Sequence, residues 1–191
     1  MMAGSEIGKF YASGTARVGD ALYFKRVPVI KKQAISAYDP RLIEVTGISM
    51  MVTAQGADHT VGNNATFKCD DKNIEELVAE SLRMQINAAV ADSLGLCVFG
   101  RSVTDENLEL ISNAINDAFD AGVTPDFIRN IGRETLRLEA AFNNAAGFDE
   151  EDDELPSFFL DEPLPPTDKM ARLRSSEVNA AMQNLLDAHS G

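Results

Sequence analysis

The stretch that decides the fold is residues 74–93, which reads IEELVAESLRMQINAAVADS. Its apolar residues recur at intervals of three and four, so they share one face of an α-helix. The members of this face are Ile74, Leu77, Val78, Leu82, Ile86 and Ala89. We expect Asp70 or Asp71 to cap the helix and Gly95 to end it, since glycine readily adopts the left-handed conformation of a helix C-terminus. The stretch therefore predicts a long amphipathic helix.

Three further helices are predicted C-terminal to it. Thr104 is expected to cap the first, which ends at Gly122, and Thr124–Pro125 begins the second, because proline suits the first helical position. Gly147 ends that helix, and the third spans about 175–189. The residues expected to pack together in the core are Ile74, Leu82, Ile111, Ile115, Ile131, Leu138 and Phe142.

The first third of the chain, residues 1–69, has a different pattern. It is rich in glycine and β-branched residues and has little helical period. Residues 23–30 predict a short strand, which the proline within it places at a sheet edge. The apolar run 47–53 fits a buried helix and a strand equally well. We expect a mainly α, multihelical fold with an irregular, loop-rich N-terminal third, divided into a remnant or linker over 1–35 and a helical domain over 36–191.

Six acidic residues follow one another at 149–154, and a proline-rich stretch continues to Pro166. Like charges repel one another and disfavour a helix. The run is therefore expected to form an exposed, solvated connection, which we favour over a binding tail.

The composition limits what the chain can do. The 191 residues carry 17 basic and 30 acidic side chains, a net charge of −13, which disfavours a nucleic-acid partner. No stretch is apolar for the roughly 20 residues that span a bilayer, and residues 1–10 do not read as a secretory signal. With only two cysteines, Cys69 and Cys97, a reducing cytoplasm is the expected location.

The most informative position for chemistry is Cys97, which ends the sequence Asp92-Ser93-Leu94-Gly95-Leu96-Cys97. A turn there is expected to expose backbone amides and to place a carboxylate and a thiol nearby, and thiolates are soft metal ligands. From spacing alone, a buried and inert cysteine is the favoured alternative. His59, which follows Asp58, is a candidate for proton transfer, because histidine titrates near neutral pH, although a surface histidine is the commoner outcome. The second histidine, His189, lies at the chain end and is expected to fray.

The motif Asp92–Cys97 resembles the Asp-x-x-Gly-Leu-Cys motif of the tungsten-dependent aldehyde:ferredoxin oxidoreductases. Other matches follow in the same order, and the resemblance covers residues 36–166. The matching segments are Ala37–Arg41, Gly56–His59, Leu138–Asn143, Gly147–Phe148, Asp152–Asp153, Leu155–Pro156 and Glu162–Pro165.

The resemblance implies a C-terminal helical domain of an enzyme that oxidises aldehydes to carboxylic acids and passes electrons to ferredoxin. The implied cofactors are a metal bound by two pterins, tungsten or molybdenum, and a 4Fe-4S cluster. By the same resemblance, Asp92 would bind a pterin with help from the Gly95–Leu96 turn, and Leu96 would lie between pterin and cluster. Cys97 would be a cluster ligand, and His59 would donate a proton or orient the substrate.

Family members are about three times longer, and a four-iron cluster normally takes four thiolates, whereas this chain has two cysteines. The leading hypothesis is therefore a part or subunit that is inactive and lacks the full cofactor set unless other domains or a partner subunit complete it. The alternative is a catalytically inactive helical scaffold or interaction module of the same fold. A third hypothesis, a self-sufficient enzyme using Asp58 and His59, is weaker. An exposed surface near Asp92 to Cys97, and with it a homo-oligomer or a partner complex, is expected.

Overall fold

The computed structural model describes residues 4–188, and this part of the chain is mainly α-helical, as predicted. The helices of the first half are α1 (Glu6–Ala12), α2 (Thr15–Ala21), α3 (Glu44–Val52) and α4 (Ile74–Ser93). Those of the second half are α5 (Arg101–Thr104), α6 (Leu108–Phe119), α7 (Pro125–Ala146), α8 (Ser157–Asp161) and α9 (Ser175–Ala188). No helix among residues 4–188 is long and apolar enough to cross a membrane.

Helix α4 is the central element and begins at a capping box. The Asn73 side chain accepts a hydrogen bond from the Glu76 amide at 2.8 Å, and the Glu76 carboxylate accepts one from the Asn73 amide at 3.1 Å. The predicted caps, Asp70 and Asp71, are wrong, since they lie three and two residues before the cap residue, Asn73. Of Asp70, Asp71 and Asn73, only Asn73 stands three residues before a glutamate, the spacing that lets both side chains satisfy backbone donors.

Helix α3 resolves the ambiguous run 47–53 as a buried helix. It packs against α4 and α9, and Val45, Ile48 and Met50 have no exposed surface. Polar contacts also join the helices, because the hydroxyl oxygens of Ser49 and Ser81 lie 2.8 Å apart at the α3–α4 interface. The largest core cluster of the described residues lies between α3, α4 and α9.

Helices α6 and α7 follow the predicted order with one wrong cap. Thr104 ends the short helix α5, and α6 begins four residues later, at Leu108. It ends at Phe119, and Asp120 with a positive φ of 51°, rather than the predicted Gly122, follows as its C-cap. The start of α7 is confirmed, because the Thr124 hydroxyl accepts a hydrogen bond from the Phe127 amide at 3.1 Å. Its end at Gly147, with a φ of +91°, is confirmed too.

Part of the predicted core is exposed. Leu82 is buried, whereas Leu138 and Phe142 keep 62% and 73% of their surface exposed. Helix α7 meets α4 through another side, where a Cβ added to Gly132 would lie 2.5 Å from the Ile86 carbonyl oxygen. Gly132 lets the backbones of α4 and α7 approach closely, so the side of α7 that carries Leu138 and Phe142 points away from the core. Ile74, Ile111, Ile115 and Ile131 are only half-buried.

The acidic run is exposed at residues 149–151, as expected, but its second half is anchored in the fold, which corrects the expectation of a wholly solvated connection. Asp153 is only 8% exposed and forms an ion pair with Lys31, and its other oxygen accepts a hydrogen bond from Asn179 at 2.9 Å. The Glu154 carboxylate accepts hydrogen bonds from the amide and hydroxyl of Ser175, at the start of α9. Tertiary partners thus offset a repulsion that would dominate in an isolated segment.

The predicted N-terminal strand is only two residues long. Strand β1 (Val29–Ile30) pairs with β2 (Gln33–Ala34) in an antiparallel hairpin. The turn residues Lys31 and Lys32 have positive φ angles of 48° and 65°, as a tight two-residue hairpin turn requires. The predicted division of the chain after residue 35 stays a prediction.

Candidate functional site

The chain leaves α4 through a Schellman motif formed by the sequence that was singled out for its chemistry. The Leu96 amide donates to the Ala91 carbonyl at 2.8 Å, and the Gly95 amide donates to the Asp92 carbonyl at 3.1 Å. Gly95 has a φ of +68°, a conformation that favours glycine over other residues. Both turn amides are therefore used within the helix end, contrary to the expectation that they would be exposed.

Asp92 lies in the last turn of α4, with its side chain exposed at the edge of a cleft of 720 Å³. Walls of this cleft come from α4, α7 and α9, from the segment after α3 and from the anchored acidic run. Because Asp92 is short and stands at a helix end, its carboxylate can accept hydrogen bonds from a ligand in the cleft. We call this cavity the acidic cleft, after the carboxylates that line it: Asp58, Asp92, Glu139, Asp149, Glu150 and Asp153.

Glu139 faces Asp92 across the acidic cleft from the wall formed by α7. Burial and the negative charge of Asp92 raise the pKa of the Glu139 carboxyl above its ordinary value. Both causes disfavour the ionised form, the first by removing water and the second by repulsion. Glu139 therefore keeps its proton to a higher pH than an isolated glutamate.

The two cysteines differ in accessibility. Cys97 is exposed and begins the short 3₁₀ turn Val98–Gly100, so the alternative of a buried, inert cysteine is wrong for this position. Cys69 is buried, and its thiol donates to the Phe67 carbonyl oxygen at 3.5 Å. Beside Cys97, Phe99 is 94% exposed. The Cys97 thiol is thus exposed beside an exposed aromatic side chain.

The family profile described as "Aldehyde ferredoxin oxidoreductase, domains 2 & 3" matches residues 1–188. The chain belongs to the aldehyde ferredoxin oxidoreductase family. The resemblance seen over residues 36–166 is thereby confirmed, and the match extends through the first 35 residues as well.

Individual family members are similar over most of the chain. The chain is 31% identical over 147 residues to the tungsten-containing aldehyde ferredoxin oxidoreductase of Pyrococcus horikoshii. The aligned region covers 71% of this chain and 24% of that protein. The enzyme of the same name from Pyrococcus furiosus is 28% identical over 170 residues, and the aligned region covers 83% of this chain and 27% of that enzyme. The enzyme of the same name from Thermococcus kodakarensis is 31% identical over 147 residues, and the aligned region covers 71% of this chain and 24% of that enzyme. The chain thus spans about a quarter of the length of these relatives.

His59 does not join Asp92 in the structure of this family member. Its ring Nδ1 lies 2.7 Å from the Ser36 hydroxyl oxygen, and its ring packs against Tyr38 with centroids 5.1 Å apart. The neighbours Asp58 and Thr60 line the acidic cleft, whereas His59 is not among the residues that do. The catalytic role of His59 therefore stays a prediction. His189 lies outside the described residues.

Sequence reasoning missed several residues of the acidic cleft. Thr53, on its wall, is 6% exposed, and its hydroxyl has no hydrogen-bond partner among residues 4–188. Glu139 stands in a segment that carried the family resemblance, but nothing in its spacing marks it as part of a site. It meets Asp92 because α7 crosses α4, and no local pattern reports that crossing.

Proposed function

We propose that this chain forms part of the cofactor site of a tungsten-dependent aldehyde oxidoreductase, which oxidises an aldehyde to a carboxylic acid. The observation that carries the proposal is the end of α4, where one turn presents the Asp92 carboxylate at a cleft and the Cys97 thiol on the surface. The names of the relatives, which are tungsten-containing enzymes, support it. Since the chain spans only a quarter of their length, residues elsewhere complete the site.

The donor set at this turn fits part of the implied cofactors. Asp92 is an acceptor for the N–H groups of a pterin, and the exposed Cys97 thiolate suits iron. Among the described residues no three His, Cys, Asp or Glu side chains are grouped to hold a metal ion, so the other cluster ligands come from elsewhere. When bound, the tungsten–pterin group supplies the two-electron oxidation, and the cluster passes the electrons on.

The residues around the turn have distinct parts in the proposal. Gly95 makes the reversal that separates Asp92 from Cys97, and Leu96 would lie between the pterin and the cluster. His59 is kept as a proton donor or substrate-orienting group, and the Ser36 hydroxyl at 2.7 Å holds its ring in one orientation. Asp92 holds the cofactor as a hydrogen-bond acceptor and undergoes no covalent change.

The partners in this proposal are the remaining oxidoreductase domains, in the same chain or a partner subunit, and ferredoxin as electron acceptor. Val98, Phe99 and Val103 are 49%, 94% and 56% exposed beside Cys97, which suits a protein contact around a buried cluster. In the isolated chain the same surface favours self-association. Light scattering on the chain and on Phe99→Ser measures this: we expect oligomers for the former and a smaller species for the latter.

Co-expression with the remaining domains of a related enzyme tests the redox proposal. The purified complex is assayed for iron, for tungsten and for aldehyde-dependent reduction of a viologen dye. We expect Cys97→Ser to lower bound iron and abolish dye reduction, and Cys69→Ser, the matched change at a buried thiol, to retain both. Asp92→Asn should lower the pterin content of the complex. Equal iron in both cysteine variants would rule out a cluster at Cys97.

A second candidate function is a helical interaction module without redox chemistry, and the exposed apolar residues around Phe99 favour it. This hypothesis predicts a colourless, metal-free complex that still assembles with the remaining domains. It further predicts that Phe99→Ser weakens assembly while Cys97→Ser leaves it unchanged. A complex with the visible absorbance of an iron–sulfur cluster would contradict it.

A further inference from the structure

The segment between α4 and α6, which carries Cys97, is attached to the rest of the chain by few contacts. No residue between Ala91 and Leu108 is buried, although several are half-buried. The segment is fixed at its N-terminal end, where the Leu96 amide donates to the Ala91 carbonyl oxygen at 2.8 Å. Beyond that point no side chain of the segment is embedded in the core, so the position of Cys97 depends on polar contacts.

Arg101 supplies those contacts. Its Nη2 donates to the Met84 carbonyl oxygen on α4 at 3.0 Å, and its Nη1 donates to the Thr60 carbonyl oxygen at 3.4 Å. Its Nε pairs with the Asp105 carboxylate at 3.4 Å, and these two side chains are only 12% and 15% exposed. Among the described residues, the hydrogen bonds that join residues 97–107 to the preceding part of the chain all come from Arg101.

Arg101 also connects two parts of the proposed site. Thr60 directly follows His59, so its contact with Arg101 joins the His59 loop to the segment that carries Cys97. A guanidinium group donates in several directions from one plane, whereas a lysine ammonium is a single charged point on a flexible stem. Arginine therefore suits a position at which α4, α5 and a loop meet.

We propose that Arg101 is a positioning residue, which fixes the Cys97 thiol relative to α4 and to the His59 loop. Anchors on α4 hold the segment at both ends, the Leu96 backbone at one and the Arg101 side chain at the other. A thiol held in this way is preorganised to bind iron, because a ligand that is already ordered loses less entropy on binding. This role rests on the redox function proposed above, since Arg101 acts through Cys97 and undergoes no chemical change itself.

Hydrogen exchange of the 191-residue chain, followed by mass spectrometry, tests the anchoring. In Arg101→Gln we expect the amides of residues 96–100 and 59–62 to exchange roughly tenfold faster, because hydrogen bonds from charged donors are the stronger ones. Arg129→Gln is the matched control, since Arg129 pairs with Asp126 on its own helix, and it should leave both segments unchanged. Equal exchange rates in the two variants would overturn the proposal.

The co-expressed complex tests whether this anchoring matters for the cofactor. We expect Arg101→Gln to lower bound iron and to alter the electron paramagnetic resonance spectrum of the reduced cluster. Arg101→Lys should restore part of both, because it keeps the charge but not the planar set of donors. Arg129→Gln should leave iron and spectrum unchanged. Circular dichroism shows whether each variant folds, and Arg101→Lys provides the test if Arg101→Gln does not.

The two measurements separate failure of this role from failure of the redox proposal. Full iron and an unchanged spectrum in Arg101→Gln would overturn the positioning role, while the redox proposal stands. If the unmodified complex binds no iron, the redox proposal fails instead. The exchange rates of the isolated chain then decide whether Arg101 fixes Cys97, because they need neither metal nor pterin.

Discussion

Helices α4 and α7 are the longest helices among the described residues, and both carry an apolar stripe, but their surroundings differ. The inner face of α4 packs against α3 and α9, and Leu77 and Val78 there have no exposed surface. The outer face of α7 is open, since Phe127, Leu138 and Phe142 are 54%, 62% and 73% exposed. The same periodicity therefore produced a core in one helix and a free apolar surface in the other.

The difference shows what a periodic pattern reports. It tells which residues share a face of a helix, because that follows from 3.6 residues per turn. It does not tell which neighbour covers the face. The exposed outer face of α7 belongs to a chain that spans about a quarter of the length of its relatives. The following predictions test the contrast between the two faces.

The largest contrast is expected from one pair of leucine truncations. Leu77→Ala opens a cavity in the core and should lower the free energy of unfolding by about 3 kcal/mol. Leu138→Ala removes an exposed side chain and should change it by less than about 0.5 kcal/mol. Urea unfolding followed by circular dichroism measures both. Similar losses for the two variants would mean that the outer face of α7 is covered in solution.

A second pair tests the contact between the two helices. Gly132→Ala places a Cβ 2.5 Å from the Ile86 carbonyl oxygen, a backbone atom that cannot move aside, and should cost about 1–3 kcal/mol. Gly100→Ala meets no atom within 4 Å and has a negative φ, so it should be neutral or slightly stabilising. Chemical denaturation measures the free energy of unfolding of the two variants and so distinguishes these two outcomes. A neutral Gly132→Ala would refute the close approach of α7 to α4.

Removing the capping box at the start of α4 is expected to have the next smaller effect on the free energy of unfolding. Asn73→Ala removes the acceptor for the Glu76 amide and should lower the free energy of unfolding by about 1 kcal/mol. Asp71→Ala, at the cap expected from the sequence, should leave it unchanged. Differential scanning calorimetry on both variants decides between the caps, and a larger loss for Asp71→Ala would restore the original expectation.

The smallest effects concern two glutamates with opposite pKa shifts. The side-chain hydrogen bond from Arg83 lowers the pKa of Glu80 on α4 below its ordinary 4.5. The ionised Glu80 carboxylate therefore stabilises the fold above about pH 4.5. This stability is lost as the pH falls through the lowered pKa. Burial and Asp92 raise the pKa of Glu139 on α7, so the unfolded state ionises first and stability falls as the pH rises from 4.5 through the raised pKa.

The glutamine variants of these two residues should therefore change the free energy of unfolding in opposite directions at neutral pH. We expect Glu80→Gln to destabilise the chain and Glu139→Gln to stabilise it slightly, a modest effect because Glu139 is only partly buried. Below the lowered pKa of Glu80 both differences from the unmodified chain should vanish, because Glu80 and Glu139 are then both protonated. Unfolding midpoints across a pH series provide the measurement, and differences of the same sign at neutral pH would contradict the opposite shifts.

The site shows how far local pattern reaches. The sequence Asp92 to Cys97 was recognised as a turn that ends a helix, and the structure contains that turn with Gly95 at a positive φ. Its amides are nevertheless used in the helix end, because the Schellman hydrogen bonds satisfy them. Thr53 and Glu139 join the cleft only through the packing of α3 and α7 around α4, so no local signal could have found them.

The sequence by itself determined the family, the course of the long helices and the reversal after Asp92. These features depend on residues within a few positions of one another, on helix period, capping side chains and the left-handed freedom of glycine. Only the tertiary structure decided that the outer face of α7 is open, that Asp153 is buried against Lys31 and that carboxylates from several elements meet in one cleft. Burial and charge pairing depend on which distant segment comes close, and the local sequence does not encode that.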